Sequence, residues 1–395
     1  MADQLLNFPG KPGKALYLAK TQAGLESALE SEMAELGLQD LKKTTRGVWF
    51  EGDVNDMMRA NYGLRLALRV IMPIAKFTAY DERRLYKKSG EIPWEDFIRL
   101  DQTFSISANT NSPRFTHSHY AALLVKDAIV DRFRDRFDQR PNIDTRSPHF
   151  RLDLHIDEQE ITLSVDSSGD SLHKRGYRLI APGAPLNEVL AAGLLRLSGW
   201  DKKSLLVDPM CGSGTLLAEA CMMARNIAPQ KFRSKFSFMN WPGYSESDFE
   251  EIKAAFAKCE IDVEPPVMGR DILPERLSAT ESTLRRLGCK KPRLEKADFF
   301  KTQAPAESGM LVTNPPYDVR VKVDDLGAFF NDIGSALKHN WAGWNAWLIA
   351  PEDGPFKRIG LKPDVKCPVH NGQIPCKFQG YTLFSGKRKE FVTGQ

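Results

Sequence analysis

A chain of 395 residues exceeds what one hydrophobic core usually supports, so two or three domains are expected. Its hydrophobic fraction of 42% and charged fraction of 27% are ordinary for a soluble globular protein. A formal net charge of +4 permits a polyanionic partner without demanding one, so local clusters of charge matter more than the total. There is no charged and then apolar leader and no apolar run of about 18 residues. Neither a membrane span nor a secretion signal is expected, and a cytoplasmic protein is. The six cysteines, Cys211, Cys221, Cys259, Cys289, Cys367 and Cys376, are irregularly spaced and form no CxxC pair, which argues against a disulfide scaffold. Cys367, His370 and Cys376 match no zinc spacing and lack a fourth ligand, so no metal is expected.

In chain order, the first third reads as α+β. "ALYLAK" predicts a strand, and the helix after it carries Leu25, Leu29, Met33 and Leu36 on one stripe. "RGVWFEGDV" predicts a strand, and "VNDMMRANYGLRLALRVIMPIAKF" a helix that runs into another. From Phe104 the pattern returns, with "FSISANT" as strand, "HYAALLVKDAIVDRFRDRF" as a long helix and "FRLDLHIDEQEITLSVDSSG" as a hairpin. The segment "SGDSLHKRGYRLIAPGAPL" is polar and rich in Gly and Pro, and marks a boundary. Beyond it strands and helices alternate, which predicts a mostly parallel sheet covered on both faces. "SLLVDP", "PVMGRD", "PRLEKAD" and "GMLVTNPPY" are the successive strands, and the first three end in an acid. "WNAWLIA" follows as a further strand, and "CKFQGYTLF" predicts a closing antiparallel hairpin. Ligands of such sheets bind beyond the carboxyl ends of the strands, where these acids fall.

Two motifs sit at those ends. "DPMCGSGT", Asp208 to Thr215, is a glycine-rich strand-to-helix turn, which lets backbone approach a ligand closely. A dinucleotide GxGxxG needs glycine where Leu217 stands, and the GK[ST] of a P-loop is absent. The second motif is "NPPY", Asn314 to Tyr317, which ends a strand with residues suited to neither helix nor sheet. The tetrad resembles the signature of amino-methyltransferases, which implies methyl transfer to an amine attached to an aromatic ring, whose lone pair is delocalised. Two acceptors aimed at the two N–H bonds draw the nitrogen towards pyramidal geometry. The Asn314 side-chain oxygen and the Pro315 carbonyl supply them. Pro316 restricts Pro315 to extended angles and so aims that carbonyl, and Tyr317 offers a face on which a base can stack.

The turn resembles motif I of the class I S-adenosylmethionine methyltransferases. That resemblance implies that Asp208, Cys211, Gly212, Ser213, Gly214 and Thr215 hold the cofactor. Asp271, with Ile272, is then placed to receive the ribose hydroxyls, and Asp298, with Phe299, the adenine amine. NPPY is shared by DNA adenine-N6, RNA guanine-N2 and protein glutamine-N5 methyltransferases. "FTHSHYAALLVKDAIVDRF", "RPNIDTRSPHFRLDLHI" and "LSVDSSGDSLHKRGYR" resemble a THUMP RNA-binding domain and the junction that follows it in THUMP-linked methyltransferases. "APLNEVLAAGLLRLSGW" resembles their motif X and adds Pro185 and Leu186 to the cofactor set, and "WAGWNAWLIA" and "VHNGQIPCKF" match their late strands. The resemblance runs from about Tyr17 to Phe384 and is closest to the bacterial RlmL/YpsC-type family, whose members methylate guanine N2 in 23S ribosomal RNA. It departs from the family's usual glycine after NPPY, where this chain has Asp318.

The architecture so implied is α/β: a Rossmann-like methyltransferase domain at 185–395, preceded by a ferredoxin-like subdomain at 15–75, a THUMP domain at 54–168 and a linker at 169–184. S-adenosylmethionine is the expected cofactor and RNA, ribosomal RNA first, the expected partner, with tRNA guanine or DNA adenine as alternative substrates. A non-catalytic RNA-binding assembly factor is the alternative outside enzymology, and the oligomeric state is left open. Lys126, Lys174, Arg175 and Arg178 are the expected phosphate contacts, joined on the helical faces by Lys87, Lys88, Arg132, Arg134 and Arg136.

Overall fold

The computed structural model describes residues 4–7, 13–178, 185–316 and 325–384. Tyr317, the continuation from Asp318 to Asp324 and the end of the junction at 179–184 therefore lie outside the described residues. The chain forms two compact units. Met1–Thr21, Leu29–Leu172 and Arg233–Ala255 make the first, and Gln22–Ala28, His173–Phe232 and Phe256–Gln395 the second.

The first unit is built on β1 (Gln4–Leu5), β2 (Ala15–Lys20), α1 (Glu26–Glu35), β3 (Gln39–Thr44), β4 (Gly47–Gly52), α2 (Val54–Gly63), β5 (Arg69–Thr78), α3 (Glu82–Gly90), β6 (Thr103–Asn111), α4 (Ser118–Phe137), β7 (Asn142–Ile143), β8 (Phe150–Asp157) and β9 (Glu160–Asp166). One sheet runs β3-β4-β2-β5-β9-β8-β6-β7, with β1 on β5. The long strand β5 joins its two halves, pairing Ile71 with Leu18 of β2 on one side and with Asp166 of β9 on the other. Pro73 sits in β5 at a register shift, where a residue without an N–H is tolerated. Of the helical stripe read from the sequence, Leu25, Leu29 and Met33 are fully buried and Leu36 is half-buried. Helix α2 starts in a reciprocal cap: Asp53 accepts from the Asp56 amide at 2.9 Å and donates its own to Asp56 at 3.2 Å.

The second unit contains α5 (Glu188–Leu197), β10 (Leu206–Asp208) and α6 (Thr215–Ala224). After α7 (Glu246–Lys258) it continues with β11 (Val267–Asp271), α8 (Pro274–Arg286), β12 (Arg293–Lys296), β13 (Gly309–Thr313), α9 (Leu326–Asn340), β14 (Trp344–Pro351), β15 (Val365–Asn371) and β16 (Ile374–Thr382). The strand order is β12-β11-β10-β13-β14-β16-β15. The first five are parallel, and β16 pairs antiparallel with β14 and β15, the closing hairpin predicted from the sequence. The core under β13 and β14 joins Leu311, Phe330, Ile333, Trp341, Trp344 and Leu348, all without exposure.

Between α6 and β11 the chain contributes Arg233–Ala255 to the first unit, which the sequence pattern did not suggest. There Phe236 stacks on Phe238 at 5.0 Å, and Phe249 meets both edge-on at 5.6 and 5.1 Å and Tyr62 edge-on at 5.8 Å. Arg233 donates to the carbonyls of Ser168 and Asp170, both at 2.7 Å.

Gly334 in α9 lies against the Ile359 carbonyl, so close that an added Cβ would run into that oxygen. Gly334→Ala is expected to destabilise the protein by about 3 kcal/mol, because backbone rather than a side-chain tip must move. Urea unfolding of the variant beside the parent measures it.

Candidate active site

The site forms where β10, β11 and β13 end side by side. Strand β10 delivers Asp208, 2% exposed, into the turn that leads to α6. Its Oδ1 accepts from the Thr313 hydroxyl at 2.7 Å and from the Met210 amide at 3.2 Å. Burial pushes the Asp208 carboxyl up to about 7, with the nearby Asp271 charge adding to the rise against these two hydrogen bonds. The turn itself is closed by Gly214 N–H to Cys211 C=O at 2.8 Å, and Cys211 N–H reaches the Arg270 carbonyl of β11 at 2.9 Å. Gly212 and Gly214 both have positive φ, of 54° and 74°. A Cβ on Gly214 would strike Thr280, whereas a Cβ on Gly212 would point into open space.

Asp271 ends β11 and braces the turn from the far side. Its Oδ2 accepts from the Gly212 amide at 2.9 Å and its Oδ1 from the Leu273 amide at 2.9 Å. Thr280 of α8 donates to the Gly212 carbonyl at 3.0 Å. Ile272 is 59% exposed beside this carboxylate. Asp298 follows β12, caps the short helix Phe299–Lys301 by accepting from Phe300 N–H at 3.1 Å, and remains half-buried. Phe299 turns inward, 4% exposed against Trp341, so only its backbone is left to meet a ligand. Cys211 is likewise buried, and desolvation raises its thiol well above the usual range, so the side chain stays neutral. Pro185 and Leu186 are half-buried before α5, whose first amides are capped by Asn187 at 3.0 and 3.3 Å.

Strand β13 ends at Thr313, and Asn314, Pro315 and Pro316 follow as irregular backbone. The Asn314 Oδ1 is shielded from solvent, and among the described residues it has no hydrogen-bond partner. Because Thr313 is bonded to Asp208, the turn after β10 and the NPP segment are held next to each other.

Two of the expected phosphate contacts have partners within the protein. Arg175 is 1% exposed and its Nε lies 3.4 Å from Glu219 Oε1, with both side chains at zero exposure. A guanidinium so enclosed presents nothing to a polyanion. Arg178 donates to the Thr215 hydroxyl at 2.8 Å and pairs with Glu188 at 3.1 Å, so it faces the glycine-rich turn. Lys174 is exposed, and Lys126 pairs with Asp127 at 2.6 Å. On the helical faces Arg132 is held in a fork by Glu95, both bonds at 2.7 Å. Sequence reasoning missed Thr280, Thr313 and Glu188. No local signal marks them, since each acts across the fold.

Residues 175–379 match the family model described as "RMKL-like, methyltransferase domain", while 79–166 match the THUMP domain and 17–71 the RlmL ferredoxin-like domain. The chain belongs to the RMKL-like methyltransferase family. A Synechocystis protein named "putative RNA methyltransferase" is 38% identical and is aligned over 93% of this chain and 97% of its own length. The ribosomal RNA large subunit methyltransferase K/L of Syntrophotalea carbinolica is 36% identical over 93% of this chain but 53% of its own. The chain thus spans about half the length of the K/L relatives it matches. The crystal structure of SMU.472 complexed with SAH superposes with a TM-score of 0.83, covering 95% of this chain and all of that one at 24% identity, a likeness of fold. Among the described residues no helix of this RMKL-like family member is long and apolar enough to cross a membrane.

The Asp208 carboxyl titrates higher in the folded chain than in an unfolded one, so its proton is bound preferentially by the native state. Its contribution to stability is complete below about pH 4 and is lost as pH rises through about 7. Asp208→Asn should remove that loss, which is on the order of 4 kcal/mol for a shift of this size. Thermal unfolding of parent and variant between pH 4 and 8 should converge at the acid end and separate above it, with the variant the more stable.

Proposed function

We propose that this family member transfers a methyl group to the exocyclic N2 amine of a guanine in RNA, with large-subunit ribosomal RNA as the substrate. One observation carries the reading: a buried carboxamide oxygen, Asn314 Oδ1, has no donor among the described residues at the carboxyl end of β13. An orphaned buried acceptor is costly and calls for a ligand donor. A ring-bound NH2 is a donor of the required kind.

The cofactor is S-adenosylmethionine, and the residues present fit it. Gly212 leaves space where any side chain would project, and its amide is aligned by Asp271. Each Asp271 oxygen accepts one amide and keeps capacity for a ribose hydroxyl. Ile272 offers an exposed apolar face for a purine ring, and Asp298, half-buried, an acceptor for its amine. When bound, the cofactor supplies an electrophilic methyl group on a sulfonium. The chain's own residues do the rest by orientation. Asn314 accepts one N–H of the guanine amine and the Pro315 carbonyl accepts the other, which directs the nitrogen lone pair outwards. Pro316 keeps that carbonyl aimed. Tyr317, outside the described residues, is the residue assigned by the motif to stack on the base.

RNA as substrate is supported by the THUMP and ferredoxin-like matches at 79–166 and 17–71, and by relatives named as RNA and ribosomal RNA methyltransferases. Nucleoside mass mapping of 23S rRNA from a deletion strain should show one N2-methylguanosine lost. Unchanged rRNA, or loss of N6-methyladenine from DNA instead, would sink the assignment. Asn314→Ala should slow methyl transfer roughly a hundredfold to a thousandfold in single-turnover assays with cofactor affinity unchanged, since its bond is made chiefly in the transition state. Asp271→Ala should weaken cofactor binding by about 1–3 kcal/mol in calorimetry, the cost of losing a charged acceptor.

A further inference from the structure

Within the segment "HKRGYR" Lys174 is exposed, whereas Arg175, Tyr177 and Arg178 turn inward and form two layers within the second unit. In the inner layer the Tyr177 hydroxyl donates to Glu219 Oε1 at 3.1 Å, beside Arg175. In the outer layer Arg178, with a side chain 13% exposed, sends Nη2 to Thr215 Oγ1 at 2.8 Å and to Glu188 Oε1 at 3.1 Å. Thr215 is the first residue of α6 and Glu188 the first of α5. Arg178 therefore ties the start of the helix after the glycine-rich turn to the start of the helix after Pro185 and Leu186.

Its position is electrostatically unusual. Helix N-termini are the positive ends of their dipoles and disfavour a cation. Here the guanidinium is retained by Glu188, while α6 has no side-chain cap. Arginine can only donate, so Thr215 Oγ1 must accept from it, and the hydroxyl hydrogen is left to donate elsewhere. Such an arrangement costs more than a solvated surface arginine and needs a reason at this spot.

We propose that Arg178 is a positioning residue for the cofactor: through Thr215 and Glu188 it holds the first turns of α6 and α5 in the arrangement that binds S-adenosylmethionine. The inference rests on the function proposed above. It replaces a phosphate contact with a brace, and it makes the junction part of the catalytic unit's cofactor machinery.

The test uses the full chain, with S-adenosylhomocysteine in calorimetry and a 23S rRNA transcript in fluorescence anisotropy. Arg178→Met should raise the S-adenosylhomocysteine Kd roughly tenfold to a hundredfold, the range for a lost charge-assisted hydrogen bond, and leave RNA affinity unchanged. Thr215→Val should act in the same direction, and Thr215→Ser should restore parental affinity. The double variant Arg178→Met/Thr215→Val should be no weaker than the weaker single, because the two residues act through one bond. Should Arg178→Met fail to fold, Arg178→Lys keeps the charge without the fork and should still show weaker cofactor binding with RNA binding intact. Lost RNA affinity with parental S-adenosylhomocysteine affinity would overturn the proposal and return Arg178 to phosphate contact. Equal losses in Thr215→Ser and Thr215→Val would also overturn it, since the hydroxyl would then be irrelevant. A parental chain that binds no S-adenosylhomocysteine brings down the functional reading itself, whereas parental binding that Arg178→Met and Arg178→Lys leave unchanged brings down this inference alone.

Discussion

The hydrogen bond from Thr313 to Asp208 is the constraint on which the site depends. Strands β10 and β13 are parallel neighbours, with Leu206 opposite Met310 and Val207 opposite Leu311. At the end of that register a buried carboxyl has no cation among the described residues, and the threonine of the adjacent strand supplies a donor in place of solvent. The glycine-rich turn after Asp208 and the Asn-Pro-Pro segment after Thr313 are thereby held beside each other. Neither motif needs a long loop to find the other. A pairing slip of one residue would turn Thr313 to the opposite face and leave the acid without this donor.

Asp271 works on the same turn from the other flank. Its two oxygens accept the Gly212 and Leu273 amides, so one carboxylate orders both the loop after β10 and the loop after β11. An acid expected from its place in the strand order to meet a ligand is thus also part of the loop's own structure. The two roles are compatible because a carboxylate has more acceptor sites than these amides occupy. Gly214 adds a steric condition: with positive φ and Thr280 against its Cα, it admits no side chain.

The division of the chain into units does not follow its linear order. Arg233–Ala255 lies between two elements of the methyltransferase sheet in sequence, yet belongs to the first unit, where its aromatic residues pack with Tyr62 and its Arg233 holds the carbonyls of Ser168 and Asp170. A fragment beginning near Gly169 would strip this insert of its packing partners, so point substitutions in the full chain are the cleaner way to separate cofactor binding from RNA binding.

The main strands and helices of both units were legible in the sequence, because alternation of apolar residues in strands and their helical spacing are local properties, whereas β3, α3 and α7 were not read. The two motifs were legible for the same reason: glycines and prolines state their backbone demands at the position where they stand. So was the family, whose motifs are contiguous. What the sequence could not convey was partnership across the fold. Arg175 and Arg178 look like any basic cluster in a polar junction, and only the packing of α5 against α6 turns one into a fully buried partner of Glu219 and the other into a brace on Thr215. Thr313 carries no signal until β10 and β13 are in register, and the aromatic insert carries none until Tyr62 is beside it. By itself, then, the sequence determined which elements form and which chemistry their ends can host. The tertiary structure decided which charges are solvated and which are buried, because desolvation depends on neighbours distant in the chain and leaves no trace in local composition.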